Sequence, residues 1–190
     1  TSVQVSADVI DDIIITVPSS CNLTSTLDTA HTTTMSSNQY ASEIGTTTLR
    51  VICNDNEGFA IYAIGYSNDE YGNTEMISSD SNISNIITGT NTSGPTSNWA
   101  MKLIKINDSS ISYNPNYLTI ENGFHNYHEV PTTFTKVASY SSTTDTSLGA
   151  KLKSTYAVWI SSTQPADTYT GQVIYTMVHP SSEVPLQPHD

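Results

Sequence analysis

The sequence predicts an all-β protein: an antiparallel Ig-like (Greek-key) β-sandwich of about eight or nine strands with one long loop excursion. Three observations predict it. Alternating or β-branched apolar runs recur along the 190 residues, clusters of Ser, Thr, Asn, Asp and Gly separate them, and apolar spacing of the helical kind is scarce. A chain of this length buries about two thirds of its unfolded surface on folding, so one core suffices.

The first apolar run is Val3 to Val17, which carries Val3, Val5, Val9, Ile10, Ile13, Ile14 and Ile15 and is ended by Pro18. Positions 1–17 therefore read as an N-terminal strand segment, 18–180 as the sandwich, and 181–190, with Pro185 and Pro188, as an extended tail. Thr46 to Cys53 follows, with Leu49, Val51 and Cys53 on one face. Asn54-Asp55-Asn56-Glu57-Gly58 separates it from Phe59 to Tyr66, so the two are expected to pair as a hairpin. Ser67 to Asn98 turns polar and reads as a long excursion, with Ile83, Ile86 and Ile87 as a short edge strand. A loop this long in a compact domain carries function or hides short elements. Trp99 to Ile106, Tyr117 to Ile120, Thr132 to Tyr140, Thr155 to Ile160 and Thr170 to Val178 complete the strands, with a tight-turn signal at Asn122-Gly123. Period-two alternation places Phe59, Ile61, Trp99, Met101, Leu103, Val158, Ile160, Val173 and Tyr175 in the core, and leaves the facing of Leu103-Ile104 and Val173-Ile174 open.

Composition narrows the function. Ser and Thr fill 55 positions while charged residues make up only 13%, so the surface is hydroxyl and amide rather than ion pairs. Eighteen acidic against six basic residues give a net charge of −12, a field that repels phosphate backbones and anionic headgroups. Nucleic-acid and membrane-surface binding are disfavoured, and no apolar run reaches the 18 or so residues of a membrane span. Cys21 and Cys53 lie 32 positions apart, each flanking an apolar segment. They are either a disulfide or two buried thiols, and the hydroxyl-rich, Lys-poor composition of an exported chain favours the disulfide. For an exported protein the sequence is the mature form, with its signal removed.

Catalytic motifs are mostly absent: there is no G-x-S-x-G elbow, no H-E-x-x-H and no phosphate-binding glycine loop. His125, His128 and Glu129 offer an i, i+3 histidine pair without a complete ligand set, and loop histidines facing solvent are the simpler reading. Asp55, Asn56 and Glu57, Asp69 and Glu70, and Asp11-Asp12 are hard oxygen ligands, but none matches a calcium loop and turn chemistry explains them. No metal and no cofactor is expected. Lys102 or Lys105 could enter an isopeptide bond to Asn; solvent-facing strand lysines that discourage edge aggregation are the plainer reading. N-x-[ST] sequons occur at Asn22, Asn82, Asn91 and Asn107, as an Asn-, Ser- and Thr-rich chain generates by chance. Tyr40, Tyr66, Tyr71, Tyr113, Tyr117 and Tyr127 fall at strand ends and loops, either half-buried or placed to stack on sugars.

Two segments carry a resemblance. Gln164-Pro165-Ala166-Asp167-Thr168-Tyr169 through Val173-Ile174-Tyr175-Thr176 resembles the Q-P-A-G-T-Y ending of bacterial secreted surface sandwich domains of the pilin-like and spore-coat-U-like kind, with Asp167 where Gly is usual. Leu49-Arg50-Val51-Ile52-Cys53-Asn54 through Gly58-Phe59-Ala60-Ile61 is similar to their V-x-C-N…G-F-x-I hairpin. The resemblance implies a secreted Ig-like subunit of a surface fibre, extracellular or at the cell surface, with identical subunits joined head to tail. It further implies that residues 1–17 complete a neighbour's sheet, with Val3, Val5, Val9, Ile10, Ile13 and Ile15 as the assembly strand; the alternative is that this segment pairs within its own chain, as a module that folds alone would pair it. On this reading the protein is not an enzyme. The main rival is a monomeric adhesin or carbohydrate-binding module that uses the long loops and their tyrosines on host or cell-surface glycans; a hydrolase comes third.

Overall fold

The computed structural model describes residues 2–8, 21–107, 111–113, 118–119, 127–144, 147–181 and 184–185. Fourteen strands run through them: β1 (Ser2–Asp8), β2 (Cys21–Thr29), β3 (Thr32–Ser36), β4 (Gln39–Cys53), β5 (Phe59–Ser67), β6 (Glu70–Tyr71), β7 (Ile77–Ser78), β8 (Ile87–Thr88), β9 (Asn98–Asn107), β10 (Ile111–Tyr113), β11 (Leu118–Thr119), β12 (Thr135–Tyr140), β13 (Ala150–Ile160) and β14 (Thr168–Val178). The count exceeds the eight or nine expected because β6, β7, β8, β10 and β11 are only two or three residues long, too short for alternation to register.

Two sheets form. One has the order β10-β12-β5-β14-β1-β3, with β6 on β5 and β7 on β14; the other has the order β11-β9-β13-β4-β2, with β8 on β9. Most pairs are antiparallel, but β1 on β14, β11 on β9 and β8 on β9 are parallel, which corrects the purely antiparallel expectation. The expected hairpin of Thr46–Cys53 with Phe59–Tyr66 does not form either. Both edges of β4 are taken by β2 and β13, so β5 crosses to the other sheet and pairs with β14 and β12. The intervening turn makes that crossing. Gly58 sits at φ 79° and donates to the Asp55 carbonyl at 3.0 Å, and a Cβ there would stand 1.8 Å from the Tyr140 carbonyl oxygen.

The nine residues read as core from alternation all lie in the cluster between the sheets, with Trp99, Tyr156, Tyr169 and Phe59 its largest fully buried members. Leu103 and Val173 face this core, while Ile104 is half-buried and Ile174 is buried outside that cluster, which resolves both doublets. Residues 67–98 are not a plain loop. They carry β6, β7 and β8, join Met76 to Ile86 by a bridge, and send both side chains fully into the core, where the Trp99 indole N–H donates to the Thr74 carbonyl at 2.8 Å. Of the expected edge-strand isoleucines, Ile86 is buried, Ile83 packs against the core and Ile87 begins β8.

Residues 21–36, to which the sequence assigns no strand, form β2 and β3. Their Thr-rich stretch is β-branched and suits an edge, and only a few side chains, among them Leu23 and Met35, must reach the core. At Ala30-His31 the chain passes from one sheet to the other: β2 is the edge of the second sheet, and β3 borders β1 at the edge of the first. Opposite this corner Gly45 is at φ 62°, and a Cβ there would lie 2.1 Å from His31 Cδ2.

Candidate functional site

The feature that sets the fold apart is the place of β1. It pairs Gln4–Asp8 in parallel with Thr168–Gln172 of β14, and Ser2–Ser6 antiparallel with Ser36–Thr32 of β3. The strand's sequence alternates Val3, Val5 and Ala7 with Ser2, Gln4, Ser6 and Asp8, and the register sets Val5 opposite Tyr169 and Val3 opposite Met35; Tyr169 and Met35 are fully buried. Taking β1 away would leave β14 and β3 about 10 Å apart, two inter-strand spacings, with facing rows of unpaired main-chain groups. The remaining expected assembly residues, Val9, Ile10, Ile13 and Ile15, lie outside the described residues, as do most of 181–190.

The β14 wall of this seam is anchored by side chains. In the other sheet Cys21 and Cys53 are cross-strand partners on β2 and β4 and form a disulfide, at the end of β2 away from β3. At the β14 wall, the Tyr169 hydroxyl donates to the Pro165 carbonyl at 2.9 Å and accepts from Gln164 Nε2 at 2.8 Å, while Gln164 also donates to the Ser84 carbonyl. Asp167 holds the excursion to the start of β14: its carboxylate accepts from the Ser78 and Ser79 hydroxyls and from the Asp80 backbone N–H at 2.9 Å. These donors stabilise the ionised form and hold the carboxyl well below its ordinary range. Sequence reasoning noted Asp167 only as a departure from Gly. The Pro-Ala-Asp-x-Tyr spacing was the available signal, but its partners lie about ninety positions away.

A second polar group sits on the outer face of the other sheet. Lys102 is buried, not solvent-facing as expected; its Nζ lies 3.7 Å from Glu43 Oε1 and 4.8 Å from the centroid of Tyr127. Burial lowers its pKa and Glu43 opposes the shift. The Tyr127 hydroxyl accepts the Glu43 backbone N–H at 2.7 Å, and burial pushes its pKa up to about 12. In the core, burial likewise raises Tyr156 and Tyr175, which keeps both phenols neutral.

The other sequence candidates disperse. His128 bridges to Met101 through the backbone and burial lowers its pKa; Glu129 is exposed, and His125 lies outside the described residues. Asp55 and Glu57 face His179, each at 3.5 Å, far from the Asp69-Glu70 turn, and Asp11-Asp12 lie outside the described residues. Among the described residues no group of three or more His, Cys, Asp or Glu is arranged to hold a metal ion. The side chain of Lys105 is outside the description, as are those of Tyr113 and Tyr117; Tyr66 and Tyr71 are half-buried and Tyr40 is exposed. Sequons Asn22, Asn82 and Asn91 are exposed.

The chain is thus an all-β, two-sheet protein with a disulfide, a bond that persists in oxidising compartments, and no helix among its described residues is long and apolar enough to cross a membrane. No protein-family model, no curated protein and no solved structure matches it.

Proposed function

We propose that the protein is a non-enzymatic structural subunit of a bacterial extracellular surface filament, assembled by donating its N-terminal strand to the next identical subunit. One observation carries the reading: β1 fills a slot between β14 and β3 and lies parallel to β14. A strand that followed β14 through a tight hairpin would be antiparallel to it. Here the chain's own first strand fills the slot; the same segment of a second copy carries the same sequence and would replace it in trans.

The strand orders support an Ig-like sandwich with this slot at its last strand. Reading β2, β4, β13 and β9 as strands A, B, E and D reproduces one immunoglobulin sheet, and β5 with β14 supplies C and F of the other, leaving β1 at the G position. The Tyr169-to-Pro165 hydrogen bond has the form of the tyrosine corner found at the start of strand F. Positions 9–20 span about 40 Å when extended, enough to reach a neighbour. Donation uses the same main-chain bonds and alternating side chains in trans, and a head-to-tail contact of this kind propagates as an open filament. The resemblance to pilin-like and spore-coat-U-like domains points the same way.

The test deletes residues 1–12. Light scattering and negative-stain microscopy should show concentration-dependent filaments for the intact chain and a folded monomer for the truncated one, which should then bind a synthetic peptide of residues 1–17. An intact chain that stays monomeric at high concentration, or a truncated chain that still polymerises, would overturn the proposal.

A further inference from the structure

The outer face of the first sheet carries an open groove of about 180 Å3, smaller than the cavities that hold drug-sized ligands and of a size for one small ring. Its floor follows from register. Tyr169 and Val173 of β14 face the core, so Thr170 and Gln172 face outward, where Gln172 pairs with Tyr66 of β5 and Thr170 with Ile77 of β7. β5 and β7 flank the same side of β14 without meeting, and the groove lies in that gap, closed at one end by Asn68 and Asp69.

The lining is chemically selective. Tyr66 supplies an aromatic wall held against Tyr71, ring centroids 5.0 Å apart at 66°, and Tyr71 in turn leans on Phe134 at 6.3 Å. Asn68 and Asp69, at φ 52° and 61°, make the two-residue turn between β5 and β6, a conformation Asn and Asp tolerate better than other side chains do, and so hold an amide and a carboxylate beside that wall. Asp69 Oδ1 lies 3.4 Å from the Tyr66 hydroxyl. Gln172 adds a donor and an acceptor, Thr170 a hydroxyl, and Ile77 an apolar patch. An apolar ring face beside planar amide and carboxylate groups matches a pyranose, whose C–H face is apolar and whose vicinal hydroxyls both donate and accept. No lysine or arginine lines the groove and the chain carries a net charge of −12, so an acidic sugar is repelled.

We infer that this groove, built from Tyr66, Asn68, Asp69, Ile77, Thr170 and Gln172, is a binding site for a neutral saccharide. It is formed within one chain, so it does not depend on strand donation.

The experiment titrates the full-length, isotope-labelled protein with glucose, galactose, mannose and N-acetylglucosamine, and separately with N-acetylneuraminic acid, following amide shifts by NMR. At least one neutral sugar should give saturable shifts at Tyr66, Asp69 and Gln172 with a Kd of about 1 mM, the strength of a single subsite. The acidic sugar should give none. Tyr66→Ala should weaken binding about tenfold or more, and Asp69→Asn, which keeps the turn preference and removes a charged acceptor, by about tenfold. Tyr40→Ala on the opposite sheet should leave binding unchanged. Absence of saturable shifts with all four neutral sugars at about 100 mM, two decades above that Kd, would overturn the inference. So would shifts that survive both groove substitutions in folded protein, or an equal response to the acidic sugar.

Discussion

Replacing both cysteines by alanine tests how much of the stability comes from tying β2 to β4. The bridge joins residues 32 apart in sequence, and in the chain-entropy model closing a loop of that size removes about 4 kcal/mol worth of freedom from the unfolded chain. Alanine rather than serine is chosen because Cys53 is fully buried and Cys21 nearly so, and a buried hydroxyl without a partner would add its own cost. For a chain of this size about 4 kcal/mol lowers the melting temperature by about 8–16 °C. Urea unfolding followed by circular dichroism should show a lower midpoint and also a steeper slope, since the uncrosslinked unfolded state exposes more surface. Burial of both sulfurs adds a kinetic expectation: reductant acts only after local or global opening, so native protein resists it far longer than protein in urea. A double variant that matches the oxidised parent in both midpoint and slope would refute the reasoning, because neither the loop entropy nor the anchoring of β2 would then operate.

Two further outcomes follow from the core and from the excursion. Leu103→Ala, at a fully buried site between the sheets, should cost about 2–5 kcal/mol by urea unfolding, whereas Ile104→Ala, half-buried on the opposite face, should cost visibly less. Asp167 makes stability depend on acid. Its folded pKa is depressed below the ordinary value of 3.8, so its contribution is complete above that value and is lost as pH falls through the lower folded value. Asp167→Asn should flatten the acid limb of the stability profile and speed amide exchange at Asp80, and an unchanged limb would remove Asp167 from the anchoring of the excursion.

What could be read from the sequence divides along a physical line. Burial has a period, and a strand facing a core writes that period into its own residues; Trp99, Met101 and Leu103 were therefore legible without knowing what they touch. Thr- and Ser-rich β2 and β3 lacked the apolar half of the signal because, as edge strands, they commit few side chains to the core. The excursion looked like a loop because its strands are two residues long, and Met76 and Ile86 serve the core singly rather than as a run. Lys102 could not be recognised as buried, since Glu43 and Tyr127 come from distant parts of the chain.

By itself, then, the sequence determined the all-β class and nine of the core residues and, through composition and placement, favoured a disulfide between Cys21 and Cys53. Only the tertiary structure decided which strands neighbour which: that β4 and β5 part to different sheets, that residues 21–36 serve both, and that β1 enters parallel to β14. Facing is a local property, settled by alternation within a few residues. Partnership is a competition among all strand edges at once, and its outcome depends on which edges other segments have already taken.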